Sequence, residues 1–190
     1  MTTQDSMTNE QRLTLITDMI NKARFNFSRG SFYFILWGVI LFGAAVYEYL
    51  AGSVFDLSMP WIGWPIAGML GGIFSALYSR KVYSDGPTAH LDKIYSSIWM
   101  VYFVTLIILI VAWVSHRISP GSYIMIVTGF PTFLPGYILK FKPLQWSGIV
   151  FWVLGLLSLY FMSEYSSLIF ALSMVLGYVI PGFMMRSMES

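Results

Sequence analysis

The chain has 190 residues, of which 57% are hydrophobic, 18% aromatic and only 11% charged, with a formal net charge of +2. A soluble domain carries roughly 25% charged residues, so this composition places the chain among membrane proteins. Cysteine is absent, which excludes disulfides and thiol chemistry.

Residues 1–7 show no periodicity and read as disordered. Thr8-Asn9-Glu10-Gln11 fits a capping box, with Gln11 three residues after the Thr. Leu13, Ile16, Ile20, Ala23 and Phe27 then recur at spacings of three and four, opposite Asp18, Asn21, Lys22 and Arg24. This pattern predicts an amphipathic helix too polar to span a bilayer. It is expected to lie on the membrane surface, pack under the bundle, or bind a partner helix. No apolar core ending in a small-residue cleavage site precedes it, so no cleavable signal peptide is expected.

Six apolar segments follow, at about 31–50, 60–79, 95–115, 122–139, 144–162 and 166–185. Each approaches the 20 or so residues needed to cross roughly 30 Å of hydrocarbon. The expected fold is an all-α membrane protein. It has a cytoplasmic leader (1–30), a six-span bundle of three antiparallel hairpins (31–185) and a cytoplasmic tail (186–190). Charge placement sets the orientation. Ten of the eleven basic residues fall on one side of such a bundle, and only Arg117 falls on the other. By the positive-inside rule both termini are cytoplasmic. The same spread of basic residues along one membrane face argues against a nucleic-acid partner.

The fourth segment contains Thr128-Gly129-Phe130-Pro131-Thr132-Phe133-Leu134-Pro135-Gly136. Proline has no N–H, so Pro131 deprives the carbonyl of Val127 of its helical partner, and Pro135 does the same to the carbonyl of Pro131. Unsatisfied backbone groups are costly in hydrocarbon, so these carbonyls must face protein, trapped water or a ligand. Two readings stand: a broken helix lining a cavity, as in transporters, or a proline kink packed against neighbours. Pro181 repeats the theme by freeing the carbonyl of Gly177.

Span two carries Ala67, Gly71 and Ser75 at four-residue spacing, with Gly68 and Gly72 beside them. Small side chains let helix backbones approach closely. This face is expected to be central, either packing within the chain or forming a homo-oligomer interface. Glu48 is the ionisable residue inside an apolar segment, near the outer end of span one. It either reaches interfacial water, pairs with Arg117, or handles ions or protons. No HExxH, GxSxG, P-loop or dinucleotide fingerprint occurs, and His90 and His116 fall on opposite sides of the membrane. No enzyme activity, cofactor or metal is therefore expected.

Leu15-Ile16-Thr17-Asp18-Met19-Ile20 in the leader, Phe34-Ile35-Leu36-Trp37-Gly38 in span one and Ile180-Pro181-Gly182-Phe183 in span six give the chain a familiar layout. It resembles small bacterial six-span integral membrane proteins with a short cytosolic leader helix and no known activity. That resemblance implies a bacterial inner-membrane location and an architecture, nothing more. Two functions are expected from the residues. One is a non-enzymatic membrane component that docks a protein partner through residues 8–27, with the bilayer as its other partner. The alternative is a small oligomeric carrier or channel for a neutral or apolar solute, using the proline-broken spans four and six.

Overall fold

A computed structural model of the chain describes residues 8, 10, 13, 14, 17, 30–82, 90–116, 120–138 and 140–187. Among the described residues the chain is helical, with no strand. Helix α1 (Ser31–Tyr49) ends in a π turn, Leu50–Val54. A 3₁₀ turn over Pro60–Ile62 leads into α2 (Gly63–Val82). Then come α3 (His90–His116), α4 (Gly121–Ile138) and α5 (Lys142–Tyr160). The last helix, α6 (Ser166–Arg186), is interrupted by a second π turn, Val175–Val179.

Five of these helices are long and apolar enough to cross a membrane: Ser31–Val54, Pro60–Arg80, Ser96–Trp113, Lys142–Tyr160 and Ser166–Arg186. The chain is a multi-pass membrane protein. The expected fourth span, α4, falls short of the other five in hydropathy, because prolines, glycines and threonines take the place of aliphatic residues. Those residues are turned inward. Ser122, Thr128, Gly129, Thr132 and Gly136 are buried, while Phe130, Leu134, Tyr137 and Ile138 face out. A helix with its polar side covered by protein and its apolar side outward matches a lipid solvent, where the usual inside–outside sorting is reversed.

The closest pairings are α4 with α5 and α1 with α6, so the core is organised differently from three successive hairpins. In the first pair, Gly136 lies against Leu144 and Gly155 against Ile126, which makes the helices antiparallel. In the second, Gly182 lies against Ile35 and Gly38 against Val179, again antiparallel. Helix α6 also packs on α5 and α4, which closes a four-helix core around Phe151, Met125, Leu144 and Met174. Helix α2 packs on α1, and α3 packs on α4, rather than on each other. The seven residues between Val82 and His90 reach roughly 25 Å when extended, long enough for consecutive helices to find separate partners.

The α4–α5 link shows how tightly that pair is joined. Lys140 adopts a left-handed φ of 53°. Phe141 N–H bonds the Gly136 carbonyl at 2.8 Å and Lys140 N–H bonds the Tyr137 carbonyl at 3.2 Å. This is a Schellman closure with lysine where glycine is usual. Gln145 Nε2 donates to the same Gly136 carbonyl at 2.9 Å, and Pro143 opens α5 at a position that needs no N–H.

In the leader, Glu10, Leu13, Thr14 and Thr17 are helical. Thr14 Oγ1 donates to the Glu10 carbonyl at 2.9 Å and Thr17 Oγ1 to the Leu13 carbonyl at 2.8 Å. Leu13 is 64% exposed. The rest of the expected stripe, Ile16, Ile20, Ala23 and Phe27, lies outside the described residues.

Candidate functional site

The proline stretch does not break α4. The helix runs without interruption from Gly121 to Ile138, with Pro131 and Pro135 inside it. The hydroxyls of this stretch are bonded within the bundle. Thr132 Oγ1 donates to the Thr128 carbonyl at 2.8 Å, and Thr128 Oγ1 to the Ile124 carbonyl at 2.6 Å. Thr128 Oγ1 also lies 2.8 Å from Tyr102 Oη of α3. Both threonines are essentially inaccessible.

Helix α5 fills the glycine side. The Trp152 indole lies directly on Gly129, and the ring packs between Phe130 and Phe133 at 5.4 and 5.2 Å. A Cβ on Gly136 would come within 2.7 Å of Leu144 Cβ, and one on Gly148 within 2.9 Å of the Gly129 carbonyl oxygen. Of the candidate pathway residues, then, Thr128, Gly129, Pro131, Thr132, Pro135 and Gly136 come together in one buried seam that α3 and α5 occupy.

The interruption expected in the sixth span takes the form of a π turn. Ile180 N–H bonds the Val175 carbonyl, five residues back, and Pro181 follows with no N–H to give. Gly177 lies inside this turn, and a Cβ on it would come within 2.5 Å of Phe151 Cε2. Tyr178, its neighbour, holds its ring edge-on to both Phe34 (5.3 Å) and Phe151 (5.1 Å). Register-shifted turns of this kind are frequent where a helix does something other than span.

Glu48 accepts a hydrogen bond from Ser167 Oγ at 2.8 Å, which ties the far ends of α1 and α6. Arg117, the cation expected beside it, lies outside the described residues. Ala67, Gly71 and Ser75 face α1: Gly71 receives the Trp37 ring, and Trp37 Nε1 donates to Ser75 Oγ at 3.1 Å. Among the described residues a Cβ on Gly68 or Gly72 would meet nothing within 4 Å. Helix α2 is therefore at the edge of the bundle, not central as its glycines suggested, with 11% of its span buried against 56% for α6. Among the described residues only one of its two small faces finds a helix in the same chain.

Sequence reasoning passed over the α5 side of the seam. Ser147, Gly148, Phe151, Gly155 and Ser158 are all buried, and they recur at spacings of three and four, so the signal was present. Ser122 and Ser158 form a buried hydroxyl pair at 2.8 Å. Among the described residues no three His, Asp or Glu side chains gather in a way that could hold a metal ion. Comparison with family models, with curated proteins and with solved structures gives no match.

Proposed function

We propose that this protein is a non-enzymatic component of a bacterial cytoplasmic membrane that docks a partner through its N-terminal amphipathic helix. The bundle has six spans, counting α4, and both termini are cytoplasmic. The carrying observation is Leu13: it belongs to the apolar stripe of a segment helical at its described positions, yet it is 64% exposed. An apolar side chain left uncovered on a helix is available to a partner. The basic residues support the orientation, with ten of eleven on the leader side. The inward-turned polar side of α4 supports its place as a span despite its lower hydropathy.

The carrier reading has one observation in its favour, the π turn of α6 with Gly177 and Pro181. The α4 half of that reading is weaker, because the Thr128 and Thr132 hydroxyls are bonded within the bundle. Mass spectrometry of tagged protein, gently extracted from its own membrane, separates the two. A stoichiometric protein partner is expected, lost on deleting residues 8–27 and on Leu13→Asp while the bundle still elutes as a folded species. A homo-oligomer retaining a specific small molecule, with no protein partner, would overturn the docking reading.

A further inference from the structure

The helices of this bundle meet in two different ways. Within α4 and α5 the contact is backbone against side-chain root: a Cβ on Gly136, Gly148 or Gly155 would fall 2.5–2.7 Å from the facing helix. The same holds between α1 and α6, where Gly38 and Gly182 would meet Val179 Cγ2 and Ile35 Cγ1 at 2.8 and 2.7 Å. Contacts this close leave no freedom to slide or tilt, because interiors pack near crystal density and resist small displacements. Between α1 and α2 the glycines instead meet aromatic rings, Gly63 that of Tyr47 and Gly71 that of Trp37.

Between the α1–α6 pair and the α4–α5 pair the contact is of another kind. Among the described glycines only Gly177 makes a close contact across it, against the Phe151 ring. The buried cluster drawn from the four helices holds Met125, Met174 and Met185 beside Phe34, Phe170 and Tyr178. Methionine is unbranched and adapts to changes of shape. Helix α3 adds one bridge, Trp99 to Phe34, at a centroid separation of 6.5 Å.

The π turn sits at this one close contact. With Ile180 N–H engaged five residues back and Pro181 unable to donate, the Gly177 carbonyl has no main-chain donor four residues on. A helix bends most readily where its hydrogen-bond ladder is shifted or incomplete.

We propose that α1 and α6 form one rigid body and α4 and α5 another, and that the two rock about the contact of Phe151 with the Val175–Val179 turn. Approach of the bodies at the end bearing Arg186 then separates them at the end bearing Ser166. The device is independent of what the leader binds.

The test uses the absence of native cysteine. Spin labels at exposed positions of the full chain, in vesicles of phosphatidylethanolamine and phosphatidylglycerol, report distances by pulsed EPR. Tyr137→Cys with Leu156→Cys, and Phe42→Cys with Phe183→Cys, sample each body internally. Trp146→Cys with Phe183→Cys, and Leu156→Cys with Leu172→Cys, span the two bodies on either side of Phe151. Single narrow distributions are expected within bodies, and two populations between them. Gly177→Ala, whose Cβ collides with the Phe151 ring, is expected to shift the two spanning pairs in opposite senses and leave the internal pairs unchanged. Spanning pairs as narrow as internal ones, or internal pairs equally broad, would overturn the proposal. So would spanning pairs that Gly177→Ala moves in the same sense or not at all. If Gly177→Ala does not fold, the comparison in the otherwise native chain decides alone.

Discussion

Gly148→Ala tests the packing of the α4–α5 seam. The added methyl would lie 2.5 Å from Phe133 Cβ and 2.9 Å from both Phe133 Cα and the Gly129 carbonyl oxygen. Two of these three atoms are backbone, so no rotamer change relieves the clash, and the helices themselves must part. Moving the nearest atom from 2.5 Å to the 3.4 Å at which ordinary contact begins opens the seam by most of an ångström. A radial gap of about 0.5–1 Å forfeits a quarter to a half of each dispersion contact, and the seam carries the Gly136, Gly129 and Gly155 contacts as well. Overpacking of this kind costs about 1–3 kcal/mol, or a fall of about 2–12 °C in melting temperature for a chain of this size. The assay is a thermal scan of detergent-solubilised protein followed by size-exclusion chromatography. Gly68→Ala is the control, since a Cβ there meets nothing within 4 Å. It replaces a helical glycine without a clash and is expected to be neutral or stabilising by up to about 1 kcal/mol. Equal melting temperatures for the two variants would refute the seam as described.

Three further outcomes follow from particular contacts. Lys140→Gly relieves the left-handed φ of 53° and is expected to raise the melting temperature, since an L-residue there costs about 1–2 kcal/mol; a fall would contradict the Schellman closure. Ser122→Ala and Ser158→Ala each break the buried 2.8 Å pair and are expected to cost about 0.6 kcal/mol, the double variant little more than either alone; strict additivity in a double-mutant thermal cycle would show that the pair does not interact. A periplasm-active reporter fused after Lys142 is expected to stay silent, and activity there would refute the six-span orientation.

The membrane class was legible in the sequence, because hydropathy and charge placement are one-dimensional quantities that lipid imposes directly. Pairing was not. Gly68 with Gly72 and Gly148 with Gly155 are both small residues on one helical face, and each pair would allow close approach. Among the described residues only the second meets a helix. What separates them is the set of large residues opposite, Phe133 and Ile126 for the one and none for the other, and those lie on a different segment. The proline stretch misled for a related reason. A proline predicts a lost hydrogen bond, but whether the helix breaks depends on what surrounds it. Here α4 stays a continuous helix through both prolines, with Trp152 and Leu144 of α5 packed against its glycines. In α6 the register shift falls beside Pro181, where Gly177 and Gly38 leave room for a wider turn.

The disposition of the buried hydroxyls bears on function. In hydrocarbon a hydroxyl needs a partner, and a solute pathway needs hydroxyls whose partners can be exchanged for the solute. Thr128, Thr132, Ser147 and Ser173 each donate to a carbonyl three or four residues back in their own helix, at 2.6–2.8 Å. Ser122 and Ser158 satisfy each other. Exchanging any of these for a solute would first require the four-helix core to open. Leu13 needs no such rearrangement: its apolar side chain already stands clear, and a partner that covers it gains burial at once.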